Sequence, residues 1–370
     1  MLTLKGKFRG CIAGSWVGSA MGAAVEGWSR EKIKETHGVL DKLLSYRHYT
    51  HCTDWTRPPG TTEDGIERQK LIATAIIEKG GRIHAEDLVA VWLRDLDPAK
   101  MVYKQEAFDR AALELARSGV PAAELGRLWP FPNIISVARA SHPLGLINAG
   151  DPEGAADDSL DVGRLYSPAN APALRWAALY NAAIAEACKP QATVESVLEV
   201  ARRFARYRAE AKSLQGLYDT IERDIAHALG LAAKHTDPMA MRDEFYLRYD
   251  GGGYVTYGMS QANEIVCKGL AVFAICRGDT KQAILTAVNF GRDTDCLAAV
   301  AGGLAGALSG AAPIPQEWIT QVDEATRQDP YTNNHRTIDE TADGLYDALL
   351  ARQLRLRGYL DTMSRATYLA

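Results

Sequence analysis

Apolar residues recur at spacings of three and four along most of the chain, the signature of amphipathic helices. The pattern is clearest over 65–79, 105–118, 173–188, 193–211, 216–234, 262–277, 279–289 and 338–358. Frequent alanine adds helix propensity. No run alternates apolar and polar residues as a half-buried strand would, no GxGxxG follows a strand, and no segment repeats with a fixed period. Clusters of Gly, Pro, Asn and Asp mark loops at 50–62, 129–136, 150–172 and 250–260, none with the composition of a flexible linker. The pattern predicts an all-α fold: a single multi-helix domain spanning 1–370, with its functional cleft at loop–helix junctions.

Two stretches are too rich in small residues to be ordinary amphipathic helices. In the first, CIAGSWVGSAMGAAVEG, glycines at 10, 14, 18 and 22 fall every four residues and so share one helix face. That face admits a neighbouring backbone closely and predicts a tightly packed core helix. Lys5, Lys7 and Arg9 ahead of it give a superficial likeness to a secretory signal, but glycine and serine dilute the apolar run and Glu26 closes it. The second, over 296–312, carries no charge and is too short and glycine-rich for a membrane span.

Composition narrows the partners. Of the 370 residues, 47% are hydrophobic and 24% charged, as expected of a soluble protein with a sizeable core. A formal charge of −4, a pI near 6.1 and the lack of any basic stripe argue against nucleic acid bound through its phosphates. The six cysteines have neither CxxC nor zinc-ligand spacing and predict buried, reduced thiols in a cytoplasmic protein. Helix 338–358, with Leu345, Leu349, Leu350 and Leu354, fits either a dimer seam or the chain's own core, leaving monomer and homodimer both open.

Two acidic clusters carry the candidate chemistry. In PPGTTEDGIERQKLIATA (58–75), Thr62, Glu63 and Asp64 stand at the start of a helix. In GRDTDC (291–296), Asp293 and Asp295 enter the uncharged helix from a glycine loop. Capping explains either cluster alone, since Thr and Asp are good N-caps and acids suit the first turn. Capping needs one side-chain oxygen, however, and the second loop offers two carboxylates and a hydroxyl. Brought together, the clusters form an oxygen-rich cage suited to Mg²⁺ or Mn²⁺.

These stretches resemble the ADP-ribosylglycohydrolase family. GRDTDCLAAVAGGLAGALSGAAPIPQEW is similar to its C-terminal signature, G-G-D-T-D-T followed by an Ala/Gly-rich helix and I-P-x-x-W. TTED at 61–64 resembles its T-D-D-T, and GCIAGSWVGSAMGAAVEG its G-x-x-x-G-D-A-x-G opening, with Glu26 at a family glutamate. The resemblance implies an all-helical hydrolase with two Mg²⁺ or Mn²⁺ ions that cleaves the glycosidic bond between ADP-ribose and an acceptor. It implies metal ligands Thr62, Glu63, Asp64, Asp293, Asp295 and Cys296, with Glu26 as general acid/base and Asp64 as a second catalytic carboxylate. The transition state is expected to be oxocarbenium-like.

The departures bear on that expectation. Glu63 stands for Asp, Gly65 for Thr, Ser19 for Asp, Arg292 for the second glycine of G-G-D and Cys296 for Thr or Ser. Cysteine is a poor Mg²⁺ ligand, so one ion site is expected to be weakened, shifted or lost. Arg292 either contacts a substrate anion or neutralises the acids in place of an ion. NIISVARASHPLGL (133–146) keeps only Asn133, Arg139, Pro143 and Gly145 of the family's N-G-x-A-M-R-x-x-P-x-G stretch, with one extra residue before the proline. Further substrate candidates are Trp55, His142 and Tyr166, together with Gly252 and Tyr254 of the DGGGYVTYG loop; for His142 and Tyr166, core packing fits as well. The substrate is thus an ADP-ribosylated protein or a smaller ribosyl nucleoside or nucleotide. The rival is a non-catalytic binder with a degenerate metal site, like the lens crystallins related to this family.

Overall fold

The spacing of glycines in the first helix is met by a matching spacing in another. In the computed structural model, which describes residues 2–48, 54–210, 212–249 and 260–368, the helix Leu4–Gly22 lies along the helix Thr294–Ser309. A Cβ placed on Gly10, Gly14 or Gly18 would lie 2.2 Å from Gly306 O, 2.1 Å from Gly302 O and 2.3 Å from Ala298 O, respectively. Backbone meets backbone along the whole seam, and no side chain could be inserted there without prising the helices apart. Both helices lie in the middle of the molecule, with Phe8, Ile12, Trp16, Ala298 and Leu304 fully buried.

Nineteen α-helices and no strand occur among the described residues, around one continuous apolar core. The long apolar segments became helices within a few residues of the predicted bounds: Asp64–Lys79, Ala107–Arg117, Pro172–Ala187, Gln215–Lys234, Ala262–Ile275 and Thr280–Val288. Two bounds moved more. The segment predicted over 193–211 stops at Phe204, and the C-terminal helix runs on as Ile338–Tyr368. Its first half is core, with Ile338, Leu345 and Leu349 buried, whereas Leu354, Leu356 and Leu360 stand in solvent.

The predicted loop 150–172 needs correction, because it contains the helix Pro152–Val162. Asp151 caps that helix by accepting from Gly154 N at 2.9 Å, and proline occupies the first turn. Asp and Pro here start a helix and do not interrupt one. The five cysteines that the structure describes are buried and free. Among the described residues, no helix is long and apolar enough to cross a membrane.

Candidate metal and hydrolase site

The glycine seam delivers the acids to one place. At its end, a Cβ on Gly22 would lie 2.6 Å from Asp295 N, and Thr294 Oγ1 donates to Gly22 O at 2.8 Å. The chain then turns through Glu26, and two backbone bonds tie that turn to the acid loop: Gly27 N to Arg292 O and Arg292 N to Trp28 O, both 2.8 Å. Arg292 adopts φ 65°, a left-handed backbone that is costly for a side-chain-bearing residue. The strain aims Asp293 inward and Arg292 away. Asp293 Oδ1 accepts from Cys296 N at 3.2 Å, so this residue does cap the helix; its second oxygen is left over.

The second cluster arrives on the helix Asp64–Lys79. Glu63 is 1% exposed and meets an unexpected set of partners. Arg57 Nη1 lies 2.5 Å from its Oε1, which also accepts from the Tyr46 hydroxyl. The Tyr46–Arg57 bridge holds both partners in register. His48 Nε2 lies 3.6 Å from Glu63 Oε2 and 3.6 Å from Glu26 Oε2. Burial alone would push the Glu63 carboxyl up; Arg57 and His48 overcome it and hold it well below the usual range. Glu26 is pushed the other way, far above the usual range, by burial and by the charges of Asp295, Asp293 and Glu63. Burial likewise raises Asp295, against the pull of Arg139.

Three buried carboxylate oxygens in this cluster have no hydrogen-bond partner among the described residues: Glu63 Oε2, Asp293 Oδ2 and Asp295 Oδ1. Each such group costs about 1–3 kcal/mol if left so, and more when charged. One ligand atom from each of Asp293, Asp295 and Cys296 lies within 4.8 Å of the others. Hard oxygens with vacant lone pairs, drawn together in a dry pocket, fit a divalent cation. Cys296 adds a sulfur, but burial pushes its thiol up and keeps it protonated. Above the acids is a narrow cleft of about 60 Å³ whose walls include Glu26, His48, Arg68, Ile134 and Ser260. That volume holds an ion and a few waters, so a sugar would dock across its mouth. A larger concavity of about 360 Å³, lined by Arg30, Lys34, Met239 and Arg242 among others, contains none of the acids.

Several candidates are placed elsewhere or differently. Asp64 is at the site, but both its oxygens are committed: Arg139 Nη1 lies 2.8 Å from Oδ1 and Arg68 Nη1 2.6 Å from Oδ2. Arg292, offered as the internal counter-ion, instead pairs with Glu264 at 2.8 Å. The guanidinium that enters the acid cluster is that of Arg139, 2.5 Å from Asp295 Oδ2. Thr62 is buried, and its carbonyl accepts from Lys104 Nζ at 2.6 Å. Trp55 packs edge-on against Tyr331 and Tyr103 and does not line the cleft. Asn133 is exposed on a neighbouring concavity of about 170 Å³. Tyr166 is core, edge-on to both Trp92 and Trp129. Gly252 and Tyr254 lie outside the described residues.

His142 is also a core residue, fully buried, with Gln69 Nε2 at 3.0 Å from Nδ1 and the Tyr180 hydroxyl at 2.8 Å from Nε2. Burial lowers its pKa from 6.5 to about 4. The unfolded chain then binds a proton that the folded chain does not, so stability rises with pH between those values. We expect His142 to contribute nothing to pH dependence above about 7 and to cost roughly 3 kcal/mol of stability once the pH falls below 4. Denaturant titrations at pH 7.5 and 4.5 test this: the loss on acidification shrinks in a His142→Asn variant, and an unchanged loss rejects it.

The chain matches the sequence profile of the ADP-ribosylglycohydrolase family over residues 1–355 and belongs to that family. Among its relatives are "Uncharacterized protein YegU" of Escherichia coli, 24% identical over 86% of this chain and 92% of the relative. An "Uncharacterized protein" of Archaeoglobus fulgidus is 26% identical over 85% of this chain and 90% of its own length. The fold is that of a solved "ADP-ribosylglycohydrolase-related protein complex", with TM-score 0.63 and 20% identity, covering 94% of this chain and all of that one.

Proposed function

We propose that this protein is a metal-dependent hydrolase that cleaves a ribosyl N- or O-glycosidic bond. The observation that carries the reading is the buried cluster in which one ligand atom from each of Asp293, Asp295 and Cys296 lies within 4.8 Å of the others, beside a cleft lined by Cys296, Glu26 and Asp64. Mg²⁺ or Mn²⁺ suits these carboxylates, and when bound such an ion orients the sugar diol and lowers the pKa of a water. The protein's own groups supply the rest. Glu26, within the same cleft and beside His48, passes a proton to the leaving nitrogen or oxygen as the C1′ bond breaks. The surrounding carboxylates favour the positive charge that develops on the ribose ring. Water supplies hydroxide to C1′, giving a free ribosyl product and the protonated acceptor.

A second reading, a ligand-binding protein without turnover, is favoured by one observation: arginines already neutralise part of the acid cluster. One experiment separates them. Chelator-treated protein, with and without added Mg²⁺ or Mn²⁺, is incubated with arginine- and serine-linked ADP-ribosyl peptides and with small ribosyl glycosides. Mass spectrometry then follows release of the ribosyl product. Metal-dependent release from any of them supports the hydrolase; binding without release from all of them supports the binder.

A further inference from the structure

The last helix outruns the core. From Gln353 to Arg365 every residue of the helix Ile338–Tyr368 is exposed. A helix end of that length, with Gly358 inside it, has little stability of its own in water. We propose that the outer face of this helix is an interface for a second copy of the chain. The two helices pair antiparallel about a two-fold axis that brings Leu350 of one copy to Leu354 of the other.

The pattern along that face is complementary to itself. Spacings of three, four and eight place Asp339, Asp347, Leu350, Leu354, Arg357 and Arg365 on one side of the helix. The core side is a different one, formed by Ile338, Ala342, Leu345 and Leu349. On the outer side the chain runs from acids, through two leucines that are 38% and 67% exposed, to a basic end. Reversed by a two-fold, such a sequence meets its own complement. With Leu350 against the partner's Leu354, Asp347 falls opposite the partner's Arg357 and Asp339 opposite the partner's Arg365. Asp347, Arg357 and Arg365 are exposed and have no ion pair within the chain among the described residues. The one like-charged match sets Asp343 opposite the partner's Asp361, and there Lys5 Nζ, 3.0 Å from Asp343 Oδ1, supplies a cation.

Size agrees with this occupant. From Asp339 to Arg365 the face is about 40 Å long and 10 Å wide, and a two-fold pair buries on the order of 1,000–1,500 Å², enough for a specific interface. Exposed ion pairs add little affinity, so the leucines hold the copies together and the charges fix direction and register. An anionic bilayer is a poorer match, since the headgroups that would attract Arg357 and Arg365 repel the three aspartates on the same face.

The oligomeric state of the full chain is the test, followed by sedimentation velocity from low to high micromolar concentration. We expect the mass of the wild type to double as concentration rises. Leu350→Asp combined with Leu354→Asp abolishes the dimer and leaves the circular dichroism unchanged. Asp347→Arg or Arg357→Asp alone raises the dissociation constant about tenfold, because each puts two like-charged pairs into the two-fold interface. Asp347→Arg together with Arg357→Asp restores it. A wild type that stays monomeric throughout overturns the proposal, and its co-sedimentation with phosphatidylserine vesicles would then assign the face to a membrane. A dimer that survives the leucine substitutions is held by another surface, which overturns it as well. A folded double charge exchange no tighter than the single ones rejects the antiparallel pairing. Where the leucine variant unfolds, the charge exchange alone decides. None of these readouts depends on metal or turnover, so the hydrolase reading stands or falls separately.

Discussion

For the metal-dependent hydrolase proposed above, Asp293→Asn is expected to lower turnover by at least about 10²-fold and at the same time to make the metal-free protein more stable. The two effects have one cause. Asp293 meets Glu26 and Asp295 in a dry pocket where each acid raises the cost of ionising the next. Its Oδ1 caps the helix Thr294–Ser309 by accepting from Cys296 N, and the Asn oxygen does this equally well. What the substitution removes is one negative charge and the partnerless Oδ2. Without metal the loss of repulsion stabilises by roughly 0.5–2 kcal/mol, which in a chain of this size is a rise of a degree or two in melting temperature. With metal the order reverses, because an ion at a hundred times its dissociation constant stabilises the wild type by about 2.7 kcal/mol and the variant by far less. Melting curves of both proteins in chelator and in Mn²⁺ make the comparison. A variant no more stable than wild type in chelator would mean that Asp293 carries no unfavourable charge in the metal-free pocket, and the metal assignment would lose its main support.

Those acids were legible in the sequence because two carboxylates two residues apart exceed what a cap requires. The glycine seam was legible too, since a spacing of four on a helix can only mean one small face. What sequence could not give was the counter-ions. Arg139 lies some seventy residues from Asp64 and more than a hundred and fifty from Asp295, on a short helix whose local pattern says nothing of where a long side chain ends. Arg292 sat beside the acids in sequence and was the natural candidate, but its left-handed backbone turns it toward Glu264. Arg57 and Tyr46 reach Glu63 through an isolated bridge between two irregular segments, which carries no periodic signal. One rule would have prompted the search: several acids buried together demand cations from somewhere. His142 and Tyr166 illustrate the opposite case, polar rings at loop–helix junctions that a large core has absorbed.

The largest loss of stability is expected from a single methyl group in the glycine seam. A Cβ on Gly306 would lie 1.9 Å from Gly10 O, and one on Gly14 would lie 2.1 Å from Gly302 O. Overpacking in cores costs about 1–3 kcal/mol when side chains can shift. Here the obstacle is backbone, held by the hydrogen bonds of two central helices, so the helices themselves must part and Gly14→Ala or Gly306→Ala should cost at least about 3 kcal/mol. Gly230 provides the control: it lies within the helix Gln215–Lys234 and has nothing within 4 Å of its ideal Cβ. Gly230→Ala should therefore stabilise, by about 0.5–1 kcal/mol, through helix propensity and reduced freedom of the unfolded chain. Urea denaturation of the three variants measures both signs. The seam variants have a second expected effect, because Gly22 abuts Asp295 and parting the helices moves Asp295 away from Glu26. Mn²⁺ affinity should fall in Gly14→Ala under conditions where it remains folded, and stay unchanged in Gly230→Ala. Equal stability in all three would show that the two helices do not pack through their glycines, and the placement of the acids would have to be sought in another contact.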